Sequence, residues 1–95
     1  LLSPAQHARD HDIQQYRVIG DNPYCNKTYG EAFTDLKQTH NAILLGISKR
    51  QGGEYQLLKN PPDHTPIEEQ DYLVMIVSGS AAQVITEQFG VQDGL

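Results

Sequence analysis

The sequence predicts a single small α+β domain with the element order β-α-β-β-β-α. Three observations lead to this class. Two apolar runs, residues 42–47 and 72–77, have the length and composition of buried strands. Two segments, which begin at Thr28 and Ser80, combine a capping box with apolar residues at helical spacing. Turn residues punctuate the chain, as expected for short elements packed around one core.

The N-terminal segment carries the weakest pattern. Ser3 and Pro4 suit the first positions of a helix, but residues 4–14 are polar and lack apolar periodicity. This predicts a linker or weak helix over residues 1–15.

The first strand is predicted at residues 16–19, a short β-branched stretch that ends at a dense turn signal, residues 20–23. We therefore expect the domain to span residues 16–90 and a tail to occupy residues 91–95.

The first helix is predicted to begin after Thr28, where a Thr and a Glu three residues later form a capping box. The helix should continue to His40, and Asn41 suits the left-handed residue that ends it. Its core-facing side carries three apolar residues: Ala32, Phe33 and Leu36.

The two apolar runs predict the central strands. Residues 42–48 and 72–77 are almost wholly apolar, a pattern typical of strands covered on both faces. We therefore expect Leu45 and Val74, in the middle of these runs, to be fully buried.

The remaining elements follow from turn chemistry. Residues 51–53 predict a hairpin turn into a strand at residues 55–58, and residues 63–70 are predicted as a polar loop. The last helix is predicted to start at Ser80 and to stop at Gly90.

Composition restricts the partners. The 95 residues carry a net charge of -5 and seven basic residues, so nucleic acid is not an expected partner. The longest apolar runs are far shorter than the ~20 residues that span a bilayer. No acid, base and nucleophile converge in a recognisable motif, so we expect a protein that is not an enzyme.

Five features from residue 22 to residue 77, in order and spacing, resemble the RCK C-terminal domain (TrkA-C type) of prokaryotic potassium channels and transport proteins. Asn26 and Gln70 stand at turn positions where that family usually has Gly. The features are the turn Pro23-Tyr24-Cys25-Asn26-Lys27-Thr28, the capped helix, the strand that ends in Lys49-Arg50, the turn Asn60-Pro61-Pro62, and the strand start Asp71-Tyr72-Leu73-Val74.

The resemblance implies a regulatory domain that senses a ligand, pairs as a homodimer and controls the gating of a potassium channel or transporter. It further implies an octameric gating ring, a membrane pore or transporter subunit in the full protein, and a location at the cytoplasmic face of the cell membrane. A second hypothesis is a structural dimerisation module of a larger protein, without a ligand.

The acidic loop, residues 63–71, is the first candidate ligand site, because oxygen ligands on such a loop suit calcium. The alternative is a solvated loop in which Asp71 accepts backbone amides in the turn before its strand. The candidate ligands are Asp63, His64, Glu68, Glu69 and Asp71.

The dimer seam is the second candidate site, and its expected residues are Asp35, Lys37, Ile43 and Leu45. A subset of the resembling domains binds cyclic di-AMP between two subunits, through an Asp-x-Arg on the helix and an Asn at the next strand. Here Lys37 replaces the Arg and Ile43 replaces the Asn. The chain therefore lacks both the planar guanidinium that binds phosphate and the hydrogen bond that the Asn side chain would make. Cyclic di-AMP is therefore not the expected ligand.

His7 and His11 form a third, weaker candidate, because two His four residues apart on a helix share one face and can bind a transition metal. The other parts of a metalloprotease motif are absent, and a solvated linker explains both residues.

Overall fold

The computed structural model describes residues 11–89. Two helices pack on a four-stranded antiparallel sheet with the strand order β1-β4-β2-β3. The order along the chain confirms the predicted α+β class. The elements are β1 (His11–Arg17), α1 (Tyr29–His40), β2 (Ile43–Gln51), β3 (Glu54–Lys59), β4 (Tyr72–Ser78) and α2 (Gly79–Phe89).

Helix α1 has the predicted bounds because its local signals are strong. The Thr28 hydroxyl accepts a hydrogen bond from the Glu31 amide, and the Glu31 carboxylate accepts one from the Thr28 amide. Asn41 ends the helix in the left-handed conformation, with φ of 51°.

Strand β1 begins at His11, so the prediction of a linker or weak helix is wrong for residues 11–15. These mostly polar residues become a strand because they pair along their length with β4, and tertiary pairing overrides weak local preference. Residues 1–10, and with them His7, lie outside the described residues.

Helix α2 is capped two residues earlier than predicted. It begins at Gly79, and the hydroxyl that accepts its Ala81 amide belongs to Ser78 and not to Ser80. Gly90 and the expected tail lie outside the described residues.

The core lies on one side of the sheet, beneath both helices. Inward side chains of β2 and β4, such as Leu44, Ile47 and Met75, are fully buried against Leu36 of α1 and Ile85 of α2. Aromatic packing closes this core at β1, where the rings of Tyr16 and Phe89 meet edge to face, 5.4 Å apart.

A β-bulge at Leu45 and Gly46 shifts the register between β2 and β4. Because of this extra residue, Leu44 and Ile47 both face the core, although they are three residues apart. Gly46 is required here, since a Cβ at this position would lie 2.3 Å from the carbonyl oxygen of Leu58.

The opposite face of the sheet has no helix on it among residues 11–89, so the prediction that the central strands are covered on both faces is wrong. Leu45 is only half-buried, and Val74, though buried, borders the open face. Ile13 is 46% exposed and Leu57 is 45% exposed on the same face. The central strands β2 and β4 are apolar on both faces, but the helices cover only one of these faces.

Candidate functional site

The acidic loop is an ordered part of the domain. Its backbone is hydrogen-bonded to the segment before and at the start of α1: the Tyr29 amide donates to Thr65 O, and the Asn26 amide donates to Ile67 O, both at 2.8 Å. The Ile67 side chain is fully buried in the core. The loop is therefore anchored by its backbone and by Ile67, while six of the eight residues 63–70 are exposed to solvent, as the solvated-loop alternative predicts.

Lys49 binds three groups at the C-terminal end of this loop. Its ammonium lies 2.5 Å from Asp71 Oδ2 and 3.1 Å from Glu68 Oε1, and it donates to Pro66 O at 3.0 Å. Burial acts to lower the pKa of Lys49, but the hydrogen bonds and charges of Asp71 and Glu68 outweigh it and hold that pKa above its ordinary value. The ammonium thus pairs with two of the four carboxylates that were predicted to hold calcium, Glu68 and Asp71.

Asp71 has the structural role that the sequence offered as the alternative to a ligand. Its carboxylate is buried and accepts a hydrogen bond from the Glu68 amide at 2.8 Å, which closes the turn before β4.

The other predicted ligands of the loop lie elsewhere. Asp63 packs beside Gly30 at the start of α1, Glu69 lies next to Gly20, and His64 is exposed. Within residues 11–89, no group of three or more His, Cys, Asp or Glu side chains is arranged to hold a metal ion. Glu68 and Asp71 meet around Lys49, and the five candidates do not form one site.

His11 does not lie on a helix. It is an exposed residue of β1, so the helical spacing that motivated a metal site with His7 does not apply to it.

The four candidates for the dimer seam fall into two groups. Asp35 and Lys37 are on α1, where the Tyr24 hydroxyl donates to Asp35 at 2.5 Å and Lys37 donates to Asn41 at 2.7 Å. Burial, together with the neighbouring Asp35 carboxylate, raises the pKa of Tyr24. Ile43 and Leu45 are on β2, on the side of the sheet that the helices do not cover.

The open face carries a shallow apolar groove of about 590 Å³. Its lining includes a single charged side chain, that of Lys59. Leu45 was predicted as a contact residue from the sequence, but Ile13 and Leu57 were not, although apolar residues on both sides of β2 and β4 indicate such a face. The remaining lining residues are Gln15, Ser48, Asn60 and Val74.

A scan against models of known protein families finds no match, and no curated protein matches the sequence. Solved structures do match the fold. The chain is similar to the RCK_C domain dimer of S. agalactiae BusR in complex with c-di-AMP, with a TM-score of 0.59 and 17% identity over 80% of this chain and 92% of that chain. It is also similar to the GsuK RCK domain, with a TM-score of 0.60 and 16% identity over 92% of this chain.

The fold is that of an RCK C-terminal domain, which confirms the resemblance predicted from the sequence. The chain spans 18% of the GsuK chain, so it corresponds to one part of that larger protein. Neither helix of residues 11–89 is long and apolar enough to cross a membrane.

Proposed function

We propose that this chain is a non-catalytic regulatory domain that pairs with a second copy of itself through the open face of its sheet. The observation that carries the proposal is the apolar character of both faces of β2 and β4, of which the helices cover one. An antiparallel sheet that faces water is ordinarily polar on that side. An apolar face of this kind marks an interaction surface.

A second copy is the partner that best fits this surface. The groove is apolar at its centre, so two copies related by a two-fold axis would bring apolar against apolar without burying an unpaired carboxylate. The BusR structure with the same fold is described as a domain dimer, which supports this choice.

We further propose that the domain acts in potassium transport, at the cytoplasmic face of the membrane, with a pore or transporter subunit as its effector. The fold shared with GsuK and the sequence motifs of the channel-associated domains support this assignment. A ligand that binds two arrangements of the dimer with different affinity would shift the equilibrium between them, and this shift would supply the free energy that moves the gate.

A ligand-free dimerisation module is the second candidate. The Lys49 network favours it, because the two loop carboxylates that converge are paired with an ammonium, and residues 11–89 hold no group arranged for a metal ion. Ligand-induced thermal shift separates the two, since a ligand that binds only the folded form raises the melting temperature.

Sedimentation velocity tests the pairing. We expect the wild-type chain to be a dimer at tens of micromolar and Leu45→Asp to be a folded monomer. Val84→Asp is the matched control, because Val84 is an equally apolar residue, 51% exposed, on α2. A wild-type monomer, or equal loss of the dimer in both variants, contradicts the proposal.

A further inference from the structure

A cleft of about 330 Å³ opens near one end of the sheet, beyond the apolar groove. It is lined by Arg17 from β1, Arg50 from β2, Tyr55 from β3, and Glu69 and Gln70 from the loop before β4. We call it the arginine cleft, because it contains both arginines of residues 11–89.

Strand register places the two arginines on the same face. Arg17 is opposite Tyr72 of β4, and Tyr72 is opposite Ser48 of β2. Arg50 lies two residues beyond Ser48, and side chains two residues apart in a strand share a face. Both guanidinium groups therefore extend from the open face at the same end of the sheet.

The positive charge of the cleft is not neutralised within the described part of the chain. Both ion pairs among residues 11–89 belong to Lys49, so neither arginine forms one. Glu69 also lines the cleft, but its carboxylate lies next to Gly20. Two arginines and one glutamate leave a local excess of positive charge on a protein whose net charge is -5.

Gln70 provides an independent observation. It is a non-glycine residue with φ of 78°, a left-handed conformation that a residue with a Cβ rarely adopts. Its amide donates to Val18 O at 2.7 Å and its carbonyl accepts from the Tyr55 hydroxyl at 3.0 Å, which hold it in place. Its side-chain oxygen accepts from Arg50 Nη1 at 3.1 Å. Backbone outliers of this kind are concentrated at functional sites, and the side chain of this one contacts Arg50 in the cleft.

We propose that the arginine cleft binds a small oxyanion, the carboxylate or phosphate group of a compact metabolite. The planar fork of each guanidinium matches the paired oxygens of such groups. Gln70 positions Arg50, Arg17 supplies the second charge, and the ring of Tyr55 forms a wall for the organic part of the ligand. All the residues that line the site come from one protomer.

NMR titration of the 95-residue chain tests the proposal. The arginine Nε–Hε resonances are followed while sodium phosphate or sodium succinate is added at constant ionic strength, with sodium chloride as the reference. We expect saturable shifts at Arg17 and Arg50 with phosphate, succinate or both, and none with chloride. A response to one anion alone identifies the group that the cleft accepts. Shifts that do not saturate, or that chloride reproduces, overturn the proposal.

Three variants sharpen the test. Arg50→Gln should weaken binding about tenfold or more, the loss expected for a charge-assisted contact. Gln70→Gly should also weaken binding while raising the melting temperature, because it removes both the strain and the group that orients Arg50. Lys27→Gln, which removes the same charge outside the cleft, should leave affinity unchanged. Equal weakening by Lys27→Gln would show nonspecific screening and overturn the site.

Discussion

Leu44 and Leu45 are neighbours in β2, but their side chains lie on opposite faces of the sheet. Leu44 is fully buried beneath the helices, whereas Leu45 borders the open groove. A carboxylate at each position should therefore have a different effect. Leu44→Asp buries an unpaired charge in the core and should unfold the domain, at a cost of several kcal/mol. Leu45→Asp should keep the fold and lose the dimer.

Circular dichroism and near-ultraviolet spectra, recorded with the sedimentation data, distinguish these outcomes. If Leu45→Asp unfolded the chain as Leu44→Asp does, the assignment of Leu45 to an open face would be wrong.

Gly46→Ala should destabilise the domain by about 2 kcal/mol or more, because the new Cβ would meet the Leu58 carbonyl oxygen, an atom of the backbone that cannot rotate away. Gly20→Ala is the matched control, since its Cβ would make only an ordinary contact of 3.8 Å with Glu69. Thermal denaturation measures both. Equal melting temperatures for the two variants would exclude the tight approach of β3 to the bulge.

Lys49→Met should cost about 3 kcal/mol of unfolding free energy, because it leaves the buried Asp71 carboxylate without its cation. Asp71→Asn should cost less, and the double variant should be more stable than the sum of the two single changes predicts. Urea denaturation of the four proteins gives the coupling energy. A coupling energy near zero would mean that the ion pair does not hold the loop on the sheet.

The domain should lose stability in alkaline solution, starting near pH 10. Burial raises the pKa of Tyr16, Tyr24 and Tyr29 above the ordinary value of 10.0, and that of Lys49 lies above 10.5. Groups whose pKa is raised by folding stabilise fully below their unfolded pKa, and this contribution disappears as the pH rises through the folded pKa. Unfolding and tyrosinate absorbance should therefore rise together. Ionisation of all five tyrosines near pH 10 with no unfolding would contradict this.

The elements with strong local signals could be predicted from the sequence. Helix α1 has the predicted bounds because Thr28, Glu31 and Asn41 fix its ends through local hydrogen bonds. Strand β4 was predicted to within one residue because its apolar run is continuous. The bounds of α1 depend on contacts between residues close in sequence, and those of β4 depend only on the burial of a continuous apolar run.

The features that were missed depend on contacts distant in sequence. The start of β1 at His11 is set by its pairing with β4. A mostly polar segment carries no sequence pattern that predicts this pairing. The role of Asp71 depends on Lys49, 22 positions away, so a row of carboxylates looked like a cation site. Arg17, Arg50 and Gln70 were not recognised as a group because three separate segments bring them together.

Pairing of two copies through the open face of the sheet is the basis of the proposed function. Isotope-filtered nuclear Overhauser spectra of a mixture of labelled and unlabelled chains test it most directly, because they detect contacts between copies alone. We predict intermolecular signals between the methyl groups that border the groove, those of Ile13, Leu45, Leu57 and Val74. Intermolecular signals confined to the helices, for instance at the methyl groups of Val84, would contradict the claim, as would their complete absence at concentrations where the chain sediments as a dimer.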